Sequence, residues 1–328
     1  MPVAQGFNSP LADGLAQFVE HKRVLGRRYE TEVWALRLFD RYLVEQRVDT
    51  IGAITPELIE SFLVSRPRHR PRSFNHFLGV LHRLFGWLVM RGLVVRSPVR
   101  AATRRAGAAR TPFIFAPEQA LELLKLAAGL RDTPGTDLRG PTFYAVLATL
   151  YGLGLRVSEA CRLNVDDVDR QRSLLIVRDT KFGKDRLVPF GPRVAAMLDR
   201  YLALRRKHAP ALADDAPLFS VRASSRLTRH YIGSVFRQLL PSLGLRLPRG
   251  ASPPRVHDMR HSFAVGTLLR WYRAGIDPAR RILHLSTFLG HVQPESTAVY
   301  LTITAELLAA AGERFEAFTR PLVTEVPR

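Results

Sequence analysis

PTFYAVLATLYGLGLRVSEACRL, residues 141–163, is the stretch on which the fold of this chain turns. Its first half, PTFYAVLATLYGLG, is apolar on all sides, which predicts a helix buried in a core and not one lying on a surface. Gly152 and Gly154 break that helix, and RVSEACRL then resumes apolar residues at helical spacing. Next come SLLIVRD (173–179) and RLVPF (186–190), rich in β-branched and apolar residues and joined by the short polar turn TKFGKD. They are the one clear β signal in the chain. Helical spacing returns in PRVAAMLDRYLALRRK, in LTRHYIGSVFRQLL with Thr228 as its cap, in HDMRHSFAVGTLLRWYRAG, and in DPARRILHLSTFLGH, started by Asp277 and Pro278. An amphipathic segment, ELLAAAGERFEAF, predicts a closing helix before a frayed tail.

Upstream, a helix is expected after Pro117 in EQALELLKLAAGL. The first ninety or so residues carry four amphipathic segments: LADGLAQFVEHKRVLG, TEVWALRLFDRYLVEQR, TPELIESFLV and SFNHFLGVLHRLFGWLVMRG. In the second, Trp34, Leu38 and Tyr42 stand four apart and suggest the buried face; in the fourth, Phe77, Leu81, Leu84 and Leu88 do. Thr55 and Pro56 supply a cap and a first helical residue for the third. Between Val95 and Pro112 the periodicity stops, and Arg96, Arg100, Arg104, Arg105 and Arg110 appear without any acid among them. This reads as a basic interdomain linker, either a solvated connector or, since like charges so placed repel unless an anion lies alongside, a segment that tracks a DNA backbone. With 328 residues exceeding what one core usually holds, the expected division is a helical domain 1–95, a linker 96–112, a catalytic domain 113–318 and a tail 319–328.

Charge narrows the function classes. Subtracting 29 Asp+Glu from 49 Lys+Arg leaves +20, which favours a polyanion, nucleic acid first. A membrane is disfavoured as partner: no apolar run reaches transmembrane length, and no signal-peptide or lipidation pattern is present. The single cysteine, Cys161, excludes an internal disulfide and a multi-cysteine zinc site, and implies a reduced, cytoplasmic setting in which it is a packed structural thiol.

The candidate catalytic residues are Arg156, Lys181, His257, Arg260, His291 and Tyr300. Each local motif is weak alone; their order, Arg, Lys, His-x-x-Arg, Leu-Gly-His, Tyr, is not. Together with the surrounding GLGLRVSEACRL, TKFGKDRLVPFGP, HDMRHSFA and LSTFLGHVQPESTAVY, the pattern closely resembles the tyrosine recombinases, or phage integrases, over most of residues 113–318. Met259 stands where that family usually has Leu, a change of similar volume.

The resemblance implies a mainly α fold: an N-terminal helical, SAM-like core-binding bundle and a mostly helical catalytic domain with a small antiparallel β-hairpin or sheet. It implies a clamp on double-stranded DNA that cuts through a 3′-phosphotyrosyl intermediate, exchanges strands through a Holliday junction, and needs neither metal, cofactor nor ATP. Arg156 and Arg260 would neutralise the non-bridging phosphate oxygens, and Tyr300 would be the nucleophile. Lys181 would be the general acid, with Lys184 its rival and a further DNA contact. His257 and His291 would donate to the phosphate, His257 being also a possible base for the tyrosine proton. His257 and His261 are four apart and could share a helix face, but the family pattern leaves His261 structural. Glu159 either orients a catalytic neighbour or forms an ordinary pair with Arg156. Leu307, Leu308, Ala311, Phe315 and Phe318 would form the face of a C-terminal helix that either covers its own domain or, as the resemblance implies, docks on a neighbouring protomer in a homo-tetramer on DNA, with accessory proteins possible partners. The ending resembles recombinases of mobile elements more than the housekeeping Xer pair. Two other readings stand beside this one: a type IB topoisomerase, which shares the chemistry, and a non-catalytic DNA-binding protein, which would not require Tyr300.

Overall fold

The computed structural model describes residues 6–65, 70–105, 107, 110–178, 185–222, 225–247, 252–291, 293–302, 308–309 and 312–313. The chain divides into two compact units, Met1–Ala109 and Arg110–Arg328.

In the first unit, α1 (Ala12–Val24), α2 (Glu30–Glu45), α3 (Pro56–Ser65) and α4 (Pro71–Met90) enclose an apolar core. Phe77, Leu81, Leu84 and Leu88 of α4 are all buried, as their spacing predicts. Each such side chain contributes roughly 1.5–3 kcal/mol on leaving water. Phe62 of α3 sits 5.0 Å from Phe39 of α2 and 5.2 Å from Phe77, ring centre to ring centre, so aromatic contacts tie three of the helices together. Thr55 Oγ1 accepts from the backbone N–H of Leu58 at 3.3 Å, capping α3. On α2 the expected face holds only in part: Tyr42 is buried and Leu38 half-buried, but Trp34 is 54% exposed, and Leu36, Phe39 and Leu43 complete the buried stripe. Steps of four overshoot a helical turn by about 40° each, so Trp34 and Tyr42 cannot share one narrow face, whereas alternating steps of three and four stay on it.

The second unit begins with α5 (Pro117–Ala128), α6 (Arg139–Leu153) and α7 (Val157–Arg162). As its composition predicts, α6 is buried nearly all round, with Phe143, Val146, Leu147 and Leu150 at 1% exposure or less. Its buried threonines are satisfied: Thr149 Oγ1 donates to the Ala145 carbonyl and Thr142 Oγ1 to that of Ser220, both at 2.8 Å.

A three-stranded antiparallel sheet follows, β1 (Val168–Asp169), β2 (Leu174–Val177) and β3 (Arg186–Pro189), in that order. The two longer strands match the sequence signal. The first has two residues, too few to display a period. Leu175 pairs with Val188 and Val177 with Arg186, and Leu175, Val177 and Val188 are buried. Because strand side chains alternate, Arg186 shares the inward face of Val188.

The remaining helices are α8 (Pro192–His208), α9 (Arg229–Leu239), α10 (Asp258–Arg273), α11 (Pro278–Leu289) and the short α12 (Glu295–Ala298), which runs into a tight turn, Val299–Thr302, bearing Tyr300. Thr228 Oγ1 caps α9 by accepting from Tyr231 N, and Asp277 caps α11 by accepting from Ala279 N. Ala264, Val265, Leu268, Leu285, Leu289 and Tyr300 form a second, smaller core joining α10 to α11. The fold is thus mostly helical with one small antiparallel sheet. Among the described residues no helix is long and apolar enough to cross a membrane. Lys181 and Lys184 lie outside the described residues, as do Leu307, Ala311, Phe315 and Phe318 of the expected C-terminal helix; Leu308 is described and exposed.

Candidate active site

Two glycines set the site. Gly154 ends α6 at φ +59° and Gly290 ends α11 at φ +69°, left-handed conformations that favour glycine. A side-chain carbon at Gly154 would lie 2.5 Å from Cδ1 of Phe263 and 3.0 Å from Cδ2 of Leu289, so nothing larger fits. Helices that stop here leave carbonyls without intrahelical partners at the negative end of the helix dipole. Arginines take them up. Arg260, from α10, donates through Nη1 to Gly154 O at 2.7 Å and through Nη2 to Leu289 O at 2.6 Å. Arg156 donates through Nη2 to Gly290 O at 2.8 Å.

Arg156 is fixed on its other side by Glu159, whose Oε1 accepts from Nη1 at 2.7 Å while Oε2 accepts from the Arg156 backbone N–H at 2.7 Å. Glu159 is not merely an i, i+3 partner, however. Arg186, inward from β3, forks onto the same carboxylate through Nη1 at 2.7 Å and Nη2 at 2.9 Å, and its Nε donates to Phe288 O at 3.2 Å. Burial by itself would raise the Glu159 carboxyl, but the Arg186 hydrogen bonds and charge, with Arg156, outweigh it and hold the pKa at about 2. The carboxylate is therefore ionised at neutral pH and bridges two guanidinium groups.

Tyr300 closes the site. It is 2% exposed, and its hydroxyl lies 2.9 Å from Nδ1 of His261. Burial raises its pKa, against the opposing pull of Arg260 and Arg156. The His291 ring is stacked 6.4 Å from that of Tyr300, centre to centre, with its Nδ1 2.7 Å from Thr297 Oγ1. Burial, then the nearby arginines Arg260 and Arg156, push the His291 pKa down to about 4. Burial, then His261 and Arg260, lower His257 to about 4 as well, although one side of that residue stays open to water, which softens the penalty. Arg260 falls to about 9, by burial first and repulsion from Arg156 second, and remains charged at neutral pH.

Of the residues singled out in the sequence, Arg156, Arg260, His291 and Tyr300 come together, with His257 at the rim. His257 meets His261, ring centres 4.7 Å apart and edge to face. Two members were missed. His261, which the family pattern leaves structural, bonds the Tyr300 hydroxyl. Arg186 was passed over, though two signals pointed to it: its place at the end of TKFGKDR and its parity with Val188 on the strand. Cys161 is half-buried and its thiol is pushed up by burial to about 11, consistent with a packed, unreactive group.

The linker arginines Arg96, Arg100, Arg104, Arg105 and Arg110 are all exposed. Arg104 stacks 3.8 Å over the Phe74 ring, and its backbone N–H and C=O pair with the Asn75 amide at 2.7 Å each. Arg110 approaches the buried Asp258 carboxylate at 3.9 Å and donates to Ser252 O at 3.1 Å and to Pro253 O. The run has no acid in sequence, yet the fold provides one for Arg110.

Residues 118–306, spanning this whole constellation, match the model of the phage integrase family. The chain belongs to the phage integrase family. It is thus among the tyrosine-type site-specific recombinases. This integrase is 41% identical to the integrase/recombinase y4rB of Sinorhizobium fredii, over 94% of this chain and 98% of that protein. It is 29% identical to the tyrosine recombinase XerD of Mycobacterium tuberculosis, over 83% of this chain and 86% of that one. In fold it is similar to the Tn1549 transposon integrase in complex with a circular intermediate DNA, with a TM-score of 0.64 and 20% identity over 94% of this chain and 100% of that one. A lambda integrase dimer bound to a COC′ core site gives 0.58 at 18% identity, over 91% and 79% of the two chains.

Proposed function

We propose that this integrase cuts and rejoins duplex DNA at specific sites with Tyr300 as nucleophile, passing through a 3′-phosphotyrosyl ester and a Holliday junction. The observation that carries the reading is the convergence on one buried phenol of a charged arginine, Arg260, with Arg156 and His291 beside it. A tyrosine ester conserves the energy of the phosphodiester, so the strand can be resealed without ATP. Arg156 and Arg260 would turn their remaining N–H groups to the non-bridging oxygens, where negative charge grows in the transition state. Neutral histidines suit hydrogen-bond donation from a ring nitrogen, and the low pKa values of His257 and His291 keep them neutral. Lys181 is assigned as the acid that protonates the leaving 5′ oxygen, with Lys184 the rival. Arg96, Arg100, Arg104, Arg105 and Arg110 are assigned to the DNA backbone, the helical domain 1–95 to DNA binding, and the C-terminal helix to subunit docking in a tetramer. The names of the relatives, integrases and Xer recombinases, some solved on recombination-site DNA, support the same reading.

The experiment is to mix the protein with nicked suicide duplexes cut from the DNA flanking its own gene and to separate the products on a denaturing gel. The wild type is expected to form a covalent adduct, and Tyr300→Phe to form none while binding the duplex equally well. An adduct that persists in Tyr300→Phe refutes the assignment of the nucleophile.

A further inference from the structure

The geometry points to His261 as the group that takes the phenolic proton of Tyr300. Its Nδ1 lies 2.9 Å from the Tyr300 hydroxyl, within the distance of direct proton transfer. The bond runs from the phenol, which has a single proton to give, to a neutral imidazole, which has one nitrogen to offer as acceptor. Nδ1 then accepts, and the neutral ring carries its own proton on Nε2. Burial lowers the His261 pKa, in keeping with a ring that is neutral and able to accept. His257, the other candidate base, faces the His261 ring edge to face, and Nδ1 of His291 is engaged by Thr297.

This rests on Tyr300 being the nucleophile. As Tyr300 Oη bonds to phosphorus, its proton passes to His261 Nδ1; the bond from phosphorus to the 5′ oxygen breaks, and that oxygen takes a proton from the general acid. His261 becomes an imidazolium. The charged and titratable groups around it are Asp258, three residues earlier on α10 and favouring the cation; Arg255 and Arg260, opposing it; Arg110, held against Asp258; and His257, His291 and Tyr300. An incoming phosphodiester adds negative charge to a basin dominated by arginine, so the proton acceptor strengthens when substrate is present. In the reverse step the same imidazolium returns the proton to Tyr300 as it leaves.

The test uses the full chain, the variants His261→Asn and His261→Gln, and two nicked suicide duplexes, one with the ordinary scissile phosphate and one with sulfur in place of the bridging 5′ oxygen. Sulfur leaves without a proton, so the second duplex removes the need for a general acid but not for a base. Asn can accept the phenolic hydrogen bond near the position of Nδ1 without binding the proton, and Gln guards against a local packing fault. Both variants should bind the duplex as the wild type does and cleave at least about 100-fold more slowly on both duplexes. Cleavage at the wild-type rate by either variant overturns the proposal, and so does recovery on the sulfur duplex, which would put His261 on the leaving-group side. Absence of an adduct from the wild type on every fragment overturns the nucleophile reading itself, and is distinct from either result.

Discussion

Nη1 of Arg260 donates to the carbonyl oxygen of Gly154 at 2.7 Å, joining two residues 106 positions apart. One guanidinium thereby fastens the end of α6 to α10, and through Leu289 O to α11. The geometry of the candidate site and the tertiary packing are here the same set of bonds.

Gly154→Ala is therefore expected to cost about 2–4 kcal/mol, a left-handed alanine adding to the clash with Phe263 and Leu289. Urea unfolding measures it. Cleavage should fall further than stability explains, because the carbonyl that holds Arg260 must shift. A variant of unchanged midpoint would mean that the backbone accommodates a side chain there after all.

Glu159 should make part of the protein's stability sensitive to acid. Its pKa in the fold, about 2, lies below the ordinary 4.5, so its contribution is complete above 4.5 and drains away as pH falls toward 2. That span corresponds to about 3 kcal/mol for this nearly inaccessible group. Glu159→Gln should flatten the dependence across that window and lower stability at neutral pH, since Arg186 and Arg156 lose their shared counter-charge. Arg186→Lys, which cannot fork, should weaken cleavage without any direct role at the phosphate. Equal acid slopes in wild type and Glu159→Gln would remove the network from the account.

The two histidines respond in the opposite sense to a paired base. With folded pKa values near 4, His257 and His291 take up protons more readily in the unfolded chain, so stability declines as pH falls from 6.5 toward 4. Following their ring protons by NMR should place both titrations well below 6.5 in the free protein and higher with bound duplex, whose phosphate offsets Arg260 and Arg156. Ordinary titration near 6.5 without DNA would contradict the crowded cationic basin.

Among the linker arginines a contrast is expected. Arg105→Ala and Arg96→Ala should each lower the slope of duplex affinity against salt by about 1 and leave folding alone. Arg110→Ala should destabilise the protein, because it strips a cation and two carbonyl contacts from the buried Asp258 segment. Salt slopes that do not move in the first two variants would exclude phosphate contacts at those positions.

Local pattern sufficed where periodicity is strong. The α4 stripe of Phe77, Leu81, Leu84 and Leu88, the buried α6, the caps at Thr55, Thr228 and Asp277 and the strand pair around residue 180 were all legible, because each depends on neighbours within a turn or two. The order of Arg156, His257, Arg260, His291 and Tyr300 was legible as well, and with it the family. Trp34 was misplaced because four-residue steps drift around a helix, and Val168–Asp169 is too short to announce itself.

What the sequence could not contain is which atoms meet. That His261, and not His257, reaches the Tyr300 hydroxyl depends on where the turn after α12 lays the phenol against α10. That Arg186 braces Glu159 depends on strand register, which turns its side chain inward beside Val188. Residue types and their order determined the chemistry available to this protein. Tertiary structure decided its wiring, because a hydrogen bond between groups 134 positions apart, as from Arg156 to Gly290, has no counterpart in local spacing and exists only once the helices that end at those glycines have packed.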